Sequence, residues 1–135
     1  MKPETKLFHL VSREPTDEIW QAAIQLSEFI EPDYEQVLEA TLTALARANH
    51  DDSIAALSTC LLEHLLEHDF TGFDIIEERI SQGDDKLLYA LSLCSKFGSA
   101  QEEANASRWQ ALLDKHQNRL KRWREPAKEA IGVRN

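Results

Sequence analysis

Residues 53–68 read SIAALSTCLLEHLLEH. Ile54, Leu57, Leu61, Leu62, Leu65 and Leu66 recur at intervals of three and four, so a helix carries them all on one face. The small polar Ser58 sits inside the same stripe. This is the strongest periodicity in the chain, and the segment is expected to be the central core helix. Upstream, Asp33 to Ala48 reads as a helix with Tyr34, Leu38, Thr41, Leu45 and Ala48 on its inner face and Val37 and Ala44 beside them. Asn49-His50-Asp51-Asp52 is the turn between the two, and its last residues suit helix capping. Earlier still, Pro15-Thr16-Asp17-Glu18 has the acidic start of another helix. Ile19, Ala23, Leu26 and Ile30 supply its stripe, Trp20, Ile24 and Phe29 are expected to widen it, and Pro32 stops it.

Downstream, Thr71-Gly72-Phe73-Asp74 opens a short helix with Ile75, Ile76 and Ile80 inward, ended by Gly83. Asp84 or Asp85 caps the next, which is expected to bury Leu87, Leu88, Leu91, Cys94 and Phe97 before Gly98. Ser99-Ala100-Gln101-Glu102 has the spacing of a capping box for a long sixth helix over about 100–124. Its stripe is Ala106, Trp109, Leu113, His116, Leu120 and Trp123. Pro126 breaks it, which predicts a single helical domain over 1–125 and a flexible tail over 126–135. Only Leu7–Val11 reads as an extended piece. Six helices joined by short polar turns predict an all-α fold, antiparallel from one helix to the next, in a single compact bundle or a short HEAT-like stack.

Composition agrees. The 135 residues include 18 Leu and 15 Ala against 8 Ile and 3 Val, and only 4 Gly and 4 Pro, a balance that favours helix over strand. A chain of this length buries roughly 65–70% of its unfolded surface, so it needs neither metal nor disulfide to fold. No run of apolar residues is long enough for a membrane span or a signal segment. Cys60 and Cys94 fall inside helical patterns and read as reduced, buried thiols. The chain is expected to be cytoplasmic.

Charge is uneven. Residues 1–105 carry 21 Asp/Glu against 7 Lys/Arg, while residues 106–135 carry 3 against 8. An acidic body repels nucleic acid and anionic membrane and steers basic partners toward itself. Three groups of carboxylates lie at helix ends and turns: Asp51 and Asp52; Glu63, Glu67 and Asp69; Asp74, Glu77 and Glu78. They are expected to form an acidic patch, with Phe70, Phe73 and Tyr34 as apolar anchors because they adjoin it. Most surface carboxylates are an ordinary solvated face, and helix starts favour acids in any case.

Other chemistry finds little support. His64 and His68 stand four apart and can share a helix face, but Leu65 stands where a zinc-protease motif needs Glu, and no second cluster completes a metal site. They read as boundary histidines. The chain has no GxSxG, no Gly-rich phosphate loop and no Cys–His setting for a nucleophile, so catalysis is not expected. No cofactor and no small-molecule substrate is implied. Arg119-Leu120-Lys121-Arg122-Trp123-Arg124 can contact phosphates with Trp123 stacking on a base. The acidic body opposes nucleic acid, and the expected reading is cations favouring a helix C-terminus, with Trp109 and Trp123 packed inward.

Residues of the middle, Cys60-Leu61-Leu62-Glu63-His64-Leu65-Leu66-Glu67-His68-Asp69, then Phe73-Asp74-Ile75-Ile76-Glu77 and Trp109, resemble uncharacterised small helical domains of bacteria. The whole profile is similar to the acidic, all-helical immunity proteins that accompany polymorphic and contact-dependent toxins. That resemblance implies a small, cytoplasmic, non-catalytic protein; those families share no motif, so it transfers no residue. The expected function is to bind and neutralise a basic, nuclease-like toxin through the acidic surface. Two alternatives stand beside it: a helical adaptor taking a protein or peptide in an inter-helix groove, and nucleic-acid binding by the basic C-terminal helix.

Overall fold

The order of elements is α1 (Pro3–Val11), α2 (Asp17–Ser27), α3 (Tyr34–Arg47), α4 (Asp51–Leu57), α5 (Glu63–His68), α6 (Phe73–Ser81), α7 (Asp85–Ser92) and α8 (Glu103–Lys115). The structure is a computed structural model that describes residues 2–123. Among those residues there is no strand, and a further helical stretch covers 117–123. The expected tail over 126–135 lies outside the described residues, as does Arg124.

The central helix of the sequence is α4 and α5 joined by a π-helical turn, Ser58–Leu62. The Glu63 N–H donates to the Ser58 carbonyl five residues back. A π turn adds one residue to the helix, and each residue is about 100° of rotation. In an unbroken α-helix Leu61, Leu62, Leu65 and Leu66 would be rotated away from Ile54 and Leu57 by roughly a quarter turn. The bulge cancels that offset, and all six are buried. Ser58 Oγ and Thr59 Oγ1 donate to the carbonyls of Ile54 and Ala55, and such back-bonds loosen a helix where they occur.

This rod is the axis of the fold. α2 and α3 lie against it, α1 packs on α2 and α3, α7 packs on α3, α4 and the π turn, and α6 pairs with α7. One core cluster runs from Leu7 through the rod to Trp109 and Leu120. Each fully buried Leu, Ile or Phe in it stabilises the fold by about 1.5–3 kcal/mol. Local signals set the ends of the helices. Asp84 caps α7 by accepting the Leu87 N–H at 3.0 Å. Lys86 Nζ reaches back to the Ala46 and Ala48 carbonyls at 3.2 and 2.7 Å, which satisfies the C-terminal end of α3.

Five expectations are corrected. Eight α-helices stand among the described residues where six were expected, because Pro3–Val11 forms one and the π turn divides the central helix into two. Leu7–Val11 is part of α1, not an extended piece, and Leu7 and Val11 are buried. Trp20, Ile24 and Phe29 do not widen the buried face of α2; Ile24 is 53% exposed. Ile19, Ala22, Ala23 and Leu26 already fill that face. Phe97 is also exposed, because α7 ends at Ser92. The long sixth helix is a 3-10 turn at Gly98–Gln101, then α8, then residues 117–123 after a break at His116. Burial of Ala100 and the seat of Gly98 against α5 override the capping-box pattern.

Gly98 carries a prediction. Its φ is +50°, and a Cβ there would lie 2.7 Å from the Glu67 carbonyl oxygen, a backbone atom. Gly98→Ala therefore meets both an unfavourable backbone region and a fixed neighbour. A loss of about 1–3 kcal/mol in urea unfolding is expected. A loss of only a few tenths would mean that the 98–101 turn does not hold its place on α5.

Candidate functional site

The carboxylates singled out in the sequence do not form one patch. Asp51 and Asp52 begin the rod and Glu63 and Glu67 lie near its far end, about 20 Å along the axis. Around the far end the side chains are largely engaged. Glu63 accepts the Ser95 backbone N–H at 2.7 Å. Asp74 and Glu77 both pair with Arg108, at 2.9 and 2.8 Å. Glu78 is exposed. The Asp69 carboxylate accepts the Thr71 N–H, which with the Thr71 hydroxyl holds it below the usual carboxylate range.

The expected anchors belong to the core. Phe73 is fully buried and Phe70 nearly so; their rings stack at 4.7 Å, and Phe73 continues onto Trp109 at 6.3 Å. The Arg108 guanidinium covers Phe73 at 5.0 Å. Both phenylalanines are therefore removed from the docking surface: their apolar area is already spent on folding. Tyr34 is half-buried, and its hydroxyl donates to the Asp69 carbonyl at 2.6 Å. Burial first, then the charge of Asp69, pushes that hydroxyl's pKa up to about 12. Tyr34 is a strut between α3 and the 69–72 turn.

His64 and His68 are exposed, and His64 Nδ1 lies 3.3 Å from Glu67 Oε1. Among the described residues no group of three His, Cys, Asp or Glu side chains is placed to hold a metal ion. The cysteines are free. The Cys94 thiol donates to the Ser58 and Ala90 carbonyls, and burial pushes its pKa strongly up; burial also raises Cys60, against the Thr59 hydrogen bond. Both thiols are expected to react with iodoacetamide at pH 8 at least about tenfold more slowly than in the urea-unfolded chain. Fast labelling of either in the native protein would reveal an activated thiol.

The basic end packs on the body. Arg119 Nε donates to Asp85 at 2.6 Å, Leu120 is buried, and Trp123 stacks on Tyr89 at 5.5 Å. Two of the groups expected to touch a nucleic acid are thus occupied, while Lys121 and Arg122 are exposed.

A different surface is assembled along α2, which runs beside the rod in the same direction. At the start of α2, Pro15, Thr16, Asp17, Ile19 and Trp20 share a small cleft of about 80 Å³ with Asp52 and Ser53. At its end, Ser27, Glu28, Ile30 and Glu31 share a cleft of about 310 Å³ with His64, Glu67 and His68. Trp20, at the edge of the first cleft, and Ile24, one turn further on the same flank, are 38% and 53% exposed. Asp17, Glu28, Glu31 and Asp52 are exposed, and no cation pairs with them among the described residues. An apolar centre with a charged rim is the arrangement that protein interfaces use. Of the expected residues, it takes in Asp52 and Glu67. Sequence reasoning missed Trp20 and Ile24 as surface residues, although the signal was present: a helix whose inner face is complete has no inner place for two more large apolar side chains.

No protein-family model matches this chain, no curated protein is similar to it, and no solved structure matches its fold. Among the described residues no helix is long and apolar enough to cross a membrane.

Proposed function

We propose that this protein is a non-catalytic binding module that captures and neutralises a basic protein, in the manner of an immunity protein blocking a nuclease-like toxin. One observation carries the reading. Arg47, Lys86, Lys96, Arg108 and Arg119 are internally engaged, by Asp74, Glu77 and Asp85, by helix-end carbonyls, or over the rings of Phe8 and Trp109, whereas Asp17, Glu28, Glu31 and Asp52 at the two ends of α2 pair with no cation among the described residues. The field left over is negative and faces solvent beside exposed apolar residues. A nuclease needs a positive site for phosphate, and such a surface steers onto that site and occludes it.

The test is co-expression. A basic protein encoded beside this chain is toxic alone, harmless with this chain, and forms a stoichiometric complex whose association rate falls at least about tenfold from low to high salt. A partner that binds with a salt-independent rate overturns the electrostatic reading. It would favour the adaptor, for which Leu26, Phe29 and Val37 offer a groove of about 300 Å³ between α2 and α3.

A further inference from the structure

We propose that the small cleft at the start of α2 is a socket for a lysine side chain of the protein partner. Asp17 and Asp52, from two different helices, place two carboxylates at one opening, and neither has a cation partner among the described residues. Trp20 forms the side, with part of its indole exposed. Ser53 also lines the cleft; it is fully buried, and its Oγ has no hydrogen-bond partner. An unpartnered buried hydroxyl is costly, and native structures keep one where something else supplies the bond. Thr16, at the start of α2, makes no capping bond with its side chain, so a second hydroxyl oxygen at the cleft is uncommitted.

The occupant follows from this donor set. The two carboxylates repel an anion even though a helix begins here, and the two hydroxyl oxygens are free to accept from a cation. In a cleft of about 80 Å³ with acceptors on two different helices, the compact ammonium of lysine can turn its three donors to each of them, whereas the donors of a guanidinium are fixed in one plane. The four-carbon stem of lysine then lies along Trp20, where cation–π attraction adds to apolar contact. Ile24, one turn further, continues the apolar ledge under whatever flanks the lysine. The proposal rests on the basic-partner reading only for the origin of the lysine; the chemistry of the cleft is independent of it.

The test therefore uses n-butylammonium as the probe and the free protein, followed by two-dimensional amide NMR. Saturable shifts are expected at the Trp20 indole N–H and at the amides of Asp17, Asp52 and Ser53, with Kd on the order of 10–100 mM for so small a ligand. n-Butanol, which has the same length and no charge, leaves them unmoved. The D17N/D52N double variant weakens binding about fivefold or more, and E28Q/E31Q leaves it unchanged. Ser53→Ala weakens binding while leaving stability unchanged or raised, because an unpaired buried hydroxyl has been removed. An equal response to n-butanol, shifts spread over Glu35 and Glu39, no shift at all, or a Ser53→Ala variant that is destabilised would each overturn the socket. If the socket binds but no basic partner exists, the functional reading fails alone. If the partner binds the D17N/D52N variant unchanged, the socket fails alone.

Discussion

Trp109→Ala is expected to cost about 3–5 kcal/mol, the largest effect of any single truncation in this chain. Trp109 is 1% exposed and sits on α8, where it closes the core over Phe73 and, through it, Phe70. Lys96 covers its ring at 5.1 Å and Arg108 covers Phe73, so the cavity left by alanine opens beneath two cations. Neither cation can fill it without leaving water, and for Arg108 without leaving Asp74 and Glu77. Collapse is therefore poor, and poor collapse places a truncation at the costly end of the range. For a chain of this length the loss lowers Tm by about 10–18 °C, which thermal unfolding by circular dichroism reads directly. A loss below about 1.5 kcal/mol would show that α8 detaches without disturbing the rest, and that Phe70 and Phe73 hold their places without it.

Most of the architecture is legible because one kind of signal governs it. The rod, α3 and α7 have apolar residues at helical spacing, and Gly83 and Asp84 mark an end and a start; the structure places all of these where the pattern does. The π turn was not legible. It is a register correction between two halves of one stripe, and a window of three-and-four spacing absorbs one extra residue without losing its match. The start of α8 was misread for a related reason. Ser99-Ala100-Gln101-Glu102 is a good local start, but Gly98 must lie against the Glu67 carbonyl and Ala100 must be buried, and tertiary contact decides between the two.

The candidate site was legible in charge and not in position. Acidity alone supports a basic partner, and it survives in the structure as unpaired carboxylates at both ends of α2. Which carboxylates remain unpaired depends on contacts distant in sequence: Arg108 reaches Asp74 and Glu77 from α8, and Ser95 takes Glu63. The aromatic anchors were misplaced by the same blindness. Phe70 and Phe73 adjoin acidic residues in sequence and face the opposite way in space, while Trp20 and Ile24 looked like core and lie outside it. Adjacency along a helix changes direction by about 100° per residue, so it is poor evidence of a shared surface.

The N-terminal helix gives the second large prediction. Residues 7–11, read for a period of two, look like a strand. Read for helical period, Leu7 and Val11 fall four apart on one face, with Glu4 in the first turn and Pro3 opening the helix after an extended Lys2. Both apolar residues are fully buried, and α1 covers the outer sides of α2 and α3. Leu7→Ala is therefore expected to cost about 2–5 kcal/mol in urea unfolding. The midpoint should fall with the slope unchanged, because the whole core unfolds as one cooperative unit. The position of α1 also matters for binding. It packs on α2, the helix that carries Trp20 and Ile24. In Leu7→Ala the n-butylammonium shifts at Trp20 should persist at temperatures where the protein is still folded, because no residue of α1 lines the socket. A loss under about 1 kcal/mol would mean that α1 frays from the body independently. Loss of the socket in a folded variant would mean instead that α1 sets the spacing between α2 and the rod.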